Sequence, residues 1–393
     1  MDLETSKITV IGAGIGGLAA ARALALRGAD VTVLEQAEAI REVGAGLQIS
    51  PNGAAVLRGL GLDPAAIGQR AEAVCLKDHA GQGVLRMDLG RLGPDQGYFF
   101  CHRADLVDAL AGAARSAGVK IRLLQRVDEV QTGAEPVIRI CNSSVMRPDL
   151  VIGADGLHSR LRAAILGEAK PQFTGQVAWR AVLPAAPGER IPAEARIYMG
   201  PGRHLVTYPL RGGRMRNIVA VEERRAWAPD SWSHEDRPET LRAAFAGFCP
   251  EVRGLLERVG TVHLWGLHRH PVAPQWVQGH SALLGDAAHP TLPFMAQGAN
   301  LALEDAWVLA AELAAGAELG QALARYQERR RPRVQRAISA ANRNAWKYHL
   351  RFPPLRLAAH TLLRVGDRLA ADRILHQFDW LYAEDVTGGE RLA

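Results

Sequence analysis

The feature that most limits what this chain can become is Gly12-Ala13-Gly14-Ile15-Gly16-Gly17, a G-x-G-x-x-G run placed directly after the apolar stretch 8–11. Each glycine has its own reason. Gly12 makes a tight turn, Gly14 lets the backbone approach a pyrophosphate, and Gly17 lets the next helix pack on the strand. The phosphates then lie at a helix N-terminus, where unpaired N–H groups and the dipole favour negative charge. The Ala-rich stretch 18–27 reads as that helix, Gly28 as its stop, and 31–34 as a second strand. A strand–helix–strand unit of about 30 residues implies parallel pairing. Glu35 closes the second strand, where an acid that binds the ribose of an adenosine belongs, and Glu rather than Arg points to a ribose without a 2′-phosphate. The run alone does not separate NAD from FAD.

Farther on, 54–60 and 103–117 read as helices, 74–76, 84–89 and 150–152 as strands, and 44–51 as a glycine-rich loop. From 173 to 265 the character changes. Short β-prone segments at 177–182, 195–199, 204–208 and 218–221, punctuated by Pro and Gly, read as an inserted antiparallel sheet. A strand at 282–284 returns to the first unit. Long helices over 300–314 and 319–346 follow, the second broken at Pro332.

A length of 393 residues suits two or three packed units. The formal charge of +6 is mild; it helps draw in an anionic substrate, and most of it reads as solvated surface. The densest basic run, Arg329-Arg330-Arg331 and then Arg333, lacks the interleaved aromatics of a nucleic-acid platform, so no nucleic-acid partner is expected. Cys75, Cys101, Cys141 and Cys249 form no C-x-x-C pair, which leaves no metal spacing and no disulfide framework and fits a reducing cytoplasm. No uninterrupted apolar run reaches the ~20 residues of a transmembrane helix.

Two later segments narrow the cofactor. One is Asp149-Leu150-Val151-Ile152-Gly153-Ala154-Asp155-Gly156-Leu157-His158-Ser159-Arg160. The other is Leu283-Leu284-Gly285-Asp286-Ala287-Ala288-His289-Pro290, followed by Gln297-Gly298-Ala299-Asn300-Leu301-Ala302-Leu303-Glu304-Asp305-Ala306. With the first glycine run, in this order and spacing, the chain resembles the single-component FAD-dependent aromatic hydroxylases. Within them it is most similar to the salicylate hydroxylase-like and 3-hydroxybenzoate 6-hydroxylase-like branch. The resemblance runs from Ile8 to the Phe378-Asp379-Trp380-Leu381-Tyr382 segment. It implies an α/β fold: a Rossmann-like FAD-binding domain (1–172 and 271–345), an inserted antiparallel β-sheet substrate domain (173–270) and a C-terminal helical segment (346–393). There is no second G-x-G-x-x-G, which argues against a two-dinucleotide reductase, and 227–232 does not match the Trp-x-Trp-x-Ile-Pro of flavin halogenases.

The resemblance implies FAD as cofactor, NADH or NADPH as cosubstrate, and Gly12, Gly14, Gly17, Glu35, Gly46, Arg103, Asp155, Asp286, Gly298 and Ala299 as cofactor-binding residues. Asp286 would accept from a ribityl hydroxyl. Gly298, Ala299 and Asn300 would aim N–H groups at the flavin edge where negative charge builds on reduction. Asp155 and Arg160 match a segment that serves both FAD and the nicotinamide. On the inserted sheet, Arg180 follows Trp179, and His204 and Tyr208 are spaced by four, which puts both on one face. The resemblance implies that Arg180 pairs with a substrate carboxylate or phenolate and that Tyr208 holds the phenolic oxygen. Pro293 and Gln297 would contact substrate beside the oxygen site. His204 either relays a proton or is a structural histidine. The implied reaction hydroxylates a small phenolic aromatic acid with O2 through a flavin C4a-hydroperoxide. An FAD oxidoreductase without oxygenation, a plain NAD dehydrogenase and a non-catalytic flavin-binding sensor stay open at this point. Oligomeric state is also open, a homodimer being common in the family.

Overall fold

A computed structural model describes residues 2–40, 45–224 and 234–392; the segment 227–232 lies outside the described residues, as does Gly44. The first glycine run emerges from the strand Lys7–Ile11 and opens the helix Ile15–Ala25, and Asp30–Leu34 returns beside the first strand in parallel register. Leu150–Gly153 and Ser281–Leu283 extend the sheet on the other side, and Lys120–Arg122 on the far edge, all parallel. The central strands read as continuous apolar runs because helices cover both faces.

Small residues set the helix spacing. Ala19, Ala20, Ala21 and Ala23 are fully buried, and Ile15–Ala25 packs on the helix Gly298–Ala314. A Cβ at Gly16 would meet Leu284 at 2.6 Å and Ala302 at 3.1 Å. The contact therefore draws the first glycine loop and the second Gly-Asp segment together.

The larger sheet has eight strands among the described residues, and its span differs from the expected insertion. Gln172–Pro184, Glu194–Gly200, Arg203–Leu210, Met215–Glu223, Glu235–Asp236 and Val262–Arg269 are joined by Ala73–Asp78 and Gly83–Asp88, from outside 173–270. Ala73–Asp78 pairs in parallel with Glu194–Gly200, so the sheet is antiparallel apart from that join. One face, with Val177, Trp179, Leu205, Ile218 and Ala220, is covered by Pro238–Ala244 and Pro250–Glu257 through Leu241, Phe245, Val252 and Leu256. The opposite face looks toward the parallel sheet.

Two expectations are corrected. The stretch 44–51 is not all loop: Gly46–Ile49 is a strand paired with Phe99–His102, and Pro51 begins a helix. Side chains not visible in the local pattern hold it, for Asn300 Oδ1 accepts from the Ser50 N–H and Asn300 Nδ2 donates to the Gln48 carbonyl. The helix Leu319–Tyr348 also runs through Pro332 without a break. Its basic run is only partly solvated surface: Arg329 is exposed, whereas Arg330 and Arg333 turn inward. Arg330 is 1% exposed and bonds Glu304 (2.6 Å) and Asp305 (2.7 Å), and Arg333 bonds Glu304 (2.6 Å). These buried, charge-assisted bonds on both sides of Pro332 offset the one backbone bond it removes.

Candidate active site

Between the two sheets lies an elongated cavity of about 1220 Å³. One end is backbone. Gly12 takes φ 103°, and a Cβ there would meet the Ala154 carbonyl oxygen at 2.4 Å. A Cβ at Gly17 would meet the Gly12 oxygen at 2.0 Å. At Gly14, by contrast, a Cβ would meet nothing within 4 Å. Two of the three glycines are thus required by protein packing, and the third faces open space where a ligand can approach. Ile15–Ala25 has no side-chain cap, so its first amides are left for that ligand. Glu35 accepts from the Ala13 N–H and the Ala37 N–H, both at 2.9 Å. It fixes the glycine loop while keeping lone pairs for ribose hydroxyls.

The Asp155 and Asp286 segments form the middle. Asp155 Oδ2 accepts from the Arg160 N–H (2.7 Å), and its buried Oδ1 has no hydrogen-bond partner in the protein. Arg160 is exposed at the rim. Arg162, two residues on, is the buried one: it donates to the carbonyls of Pro271, Ala287 and Ala288 and so fastens this segment to the Gly-Asp turn. Asp286 has its surface open to the cavity and protein on its other sides. Burial pushes its carboxyl pKa up, with His289 and Arg103 opposing. His289 and the Gly285 N–H both bond Asp305 Oδ2, at 2.5 and 3.1 Å. The turn is therefore tied to the buried Arg330 cluster.

A second helix opens on the cavity at Gly298 and Ala299, again with no side-chain cap. The chain enters it through Ala296, held at φ 52°, a left-handed conformation that costs a non-glycine residue energy. Arg103 begins the helix Arg103–Ser116 and also lines the cavity. Two uncapped helix N-termini, a glycine loop with room at Gly14, and unsatisfied Asp155 fit a long dinucleotide with a pyrophosphate and an electron-accepting ring. Among the described residues no cluster of His, Cys, Asp and Glu could hold a metal ion.

The other end is the open face of the large sheet. Strand register sets its rows: Ala178–Val221–His204, Arg180–Val219–Val206 and Val182–Asn217–Tyr208. Alternate residues share a face, so Arg180, His204 and Tyr208 line one wall with Val206, Val219 and Val221. The Arg180 guanidinium lies 5.0 Å from the centre of the Trp265 ring. Tyr208 stacks on Phe100 at 5.2 Å, and burial pushes its phenol pKa up, keeping it protonated. A Cβ at Gly46 would meet Tyr208 at 2.6 Å and Asn217 at 2.7 Å, and the Gly46 N–H donates to Asn217 Oδ1 (2.8 Å). Gly46 is thus where a small third sheet, Gly46–Ile49 beside Phe99–His102, meets the large one.

Pro293 lines the cavity. Gln297 does not: its side chain donates to Ser50 Oγ and accepts from Asn52, inside the buried polar network. Arg162, Asn217 and Asn300 were not singled out by their own roles in the sequence; no local pattern marks them, because each acts on a segment far away in the chain.

Comparison with known proteins agrees with this geometry. The FAD binding domain family matches residues 5–341. The chain is 38% identical over 354 residues to the 3-amino-4-hydroxybenzoate 2-monooxygenase of Streptomyces cremeus, covering 88% of each. It is 34% identical over 394 residues to the 3-hydroxybenzoate 6-hydroxylase of Polaromonas naphthalenivorans, covering 96% of each. A crystal structure of Klebsiella pneumoniae HpxO complexed with FAD and uric acid superposes with a TM-score of 0.82 at 28% identity, covering 95% of this chain and 97% of that one. The parallel sheet, the glycine loop and these relatives lead to one assignment: the chain belongs to the FAD binding domain family and is an FAD-dependent monooxygenase.

Proposed function

We propose that the chain uses NADH or NADPH and O2 to hydroxylate a phenolic ring that carries a carboxylate, in the class of the hydroxy- and aminohydroxybenzoates named for its relatives. The observation that carries this reading is Arg180, a permanent cation set in a wall of Val206, Val219 and Val221. A largely apolar wall that carries a fixed cation suits a flat ring with an anionic group.

In this reading the loop turned at Gly12 and packed at Gly17 would present Gly14 to the FAD pyrophosphate, Glu35 would take the adenosine ribose, Asp286 would accept from a ribityl hydroxyl, and Asp155 would serve FAD and the nicotinamide. Gly46, Arg103, Gly298 and Ala299 border the flavin ring. Bound FAD supplies hydride acceptance and oxygen activation. The residues of the wall do the rest. Arg180 holds the substrate anion and favours ionisation of the phenol by stabilising its negative charge. Tyr208, kept as a neutral phenol, donates to the substrate oxygen. The valines and Pro293 exclude water from the ring. Gln297 holds the loop that shapes this space rather than reaching the substrate. No described helix is long and apolar enough to cross a membrane. We assign the enzyme to the cytoplasm, with dimerisation open to a sedimentation measurement.

The test is NAD(P)H oxidation by the yellow holoenzyme with and without salicylate, 3-hydroxybenzoate and 3-amino-4-hydroxybenzoate, with product identification. Stimulation by one phenol, with a matching hydroxylated product, supports the reading. A yellow protein that no phenol stimulates overturns the substrate class and leaves the FAD site standing.

A further inference from the structure

His204 does not end at the cavity wall. Its Nδ1 lies 2.6 Å from Nε2 of His349, and Nδ1 of His349 lies 3.0 Å from Glu223 Oε1. Arg351 bonds the other Glu223 oxygen at 2.7 Å. Both imidazoles are buried, at 3% and 4% exposure, whereas the Glu223 side chain is 34% exposed. The chain of contacts therefore leads from the substrate cavity to solvent. His349 lies beyond the span of the family match.

The chemistry of the end group fixes the direction. An ionised carboxylate only accepts, so His349 Nδ1 carries a hydrogen and its Nε2 presents a lone pair. His204 must then donate from Nδ1, which leaves its Nε2 as a bare lone pair on a residue that lines the cavity. We propose that His204, His349 and Glu223 form a proton path that carries the substrate hydroxyl proton out to solvent and returns one to the product. The proposal rests on the phenol reading above.

The protons balance. His204 Nε2 takes the hydroxyl proton, the Nδ1 proton passes to His349 Nε2, and the His349 Nδ1 proton passes to Glu223, which exchanges it with water. When the product oxygen needs a proton, the same transfers run backwards and restore both starting tautomers. No redox partner is involved.

The surroundings suit this use. Among the described residues, Tyr348 at the end of the long helix, His349 just past it, Glu223 from the neighbouring strand and Arg351 are the titratable and charged groups facing the pair, and the Phe294 ring packs beside His204. Burial and then His349 push the His204 pKa well down, so the ring rests neutral and hands a proton on through its second nitrogen rather than holding a charge. Burial would push the Glu223 carboxyl pKa up, and Arg351 and His349 outweigh it, so it stays ionised at rest. Gly202, at φ 66°, leaves room for Arg351: a Cβ there would meet the guanidinium at 2.5 Å.

The test mixes FAD-loaded enzyme, without NAD(P)H, with the phenol that stimulates it. Phenolate absorbance and proton release to an indicator dye are followed together. In His349→Gln and Glu223→Gln both signals slow on the order of 10²-fold, with FAD content and phenol affinity near wild type, and Glu223→Asp recovers most of the rate. If His349→Gln does not fold, the half-exposed Glu223 variants decide. Unchanged rates in the variants overturn the path, as does a loss confined to affinity or FAD content. A wild type that ionises no phenol overturns the functional reading, and the path with it; a wild type that ionises it no faster than the variants overturns the path alone.

Discussion

The two ends of the cavity solve their recognition problems differently. The nucleotide end is built from backbone: a glycine loop, two uncapped helix N-termini and one carboxylate, Glu35, that braces the loop. The ring end is built from side chains on three neighbouring strands, aligned by register. A pyrophosphate is the same in every dinucleotide, so backbone amides suffice and tolerate no added atoms. An aromatic substrate differs from enzyme to enzyme, and a sheet face lets each side chain change without moving the scaffold.

That contrast makes substitutions fall into two kinds, and the largest effect belongs to the backbone end. Gly17→Ala places a Cβ 2.0 Å from the Gly12 oxygen, where backbone must shift. The expected outcome is insoluble protein or protein without flavin, read from the flavin absorbance per chain. A yellow, stable Gly17→Ala protein would break the comparison at its firmer end.

Next comes Arg180→Gln. Loss of a charge-assisted bond of about 1.5–3 kcal/mol lowers kcat/KM for carboxylated phenols by about 10–100-fold. FAD content stays at wild-type level. Arg180→Lys recovers only part, since an ammonium lacks the planar fork. Equal losses for phenols with and without a carboxylate would move Arg180 from anion recognition to ionising the hydroxyl.

Tyr208→Phe keeps the stack on Phe100 and removes one neutral donor, worth about 0.5–1.5 kcal/mol, so kcat/KM falls about 2–10-fold. A loss of FAD in this variant would show that the contact at Gly46 matters more than the hydroxyl.

How the two ends read from sequence follows from how they are built. Gly12, Gly14, Gly17 and Glu35 are legible because the site is local, a turn between two strands with an acid at a fixed distance. Arg180, His204 and Tyr208 needed both the period-two pattern and the family resemblance. Asn217 stayed hidden, since only strand pairing brings it to Gly46. The strand Gly46–Ile49 was masked by its glycines, and the tertiary bonds from Asn300 supply what its propensity lacks. The basic run near Pro332 looked like surface because the acids it pairs with, Glu304 and Asp305, lie on another helix. The same distance in sequence hid His349 as the partner of His204.

The smallest expected effect is a pH dependence at the ring end. Burial lowers the pKa of His204 well below its ordinary value, and that of His349 less so. As pH falls below the unfolded value of about 6.5, the unfolded chain takes up protons that the folded chain does not, so stability declines. Melting temperature should therefore fall between about pH 7 and 5.5, and fall less in a His204→Gln, His349→Gln double variant. Equal slopes would show that other groups carry the acid sensitivity.

The most direct test of the account is the fate of oxygen. The holoenzyme is supplied with NAD(P)H, 18O2 and the phenolic acid that stimulates it best, and the product is examined by mass spectrometry. One atom of 18O in a new ring hydroxyl is the predicted result. NAD(P)H oxidation that yields only peroxide, or a product whose oxygen comes from water, would contradict it.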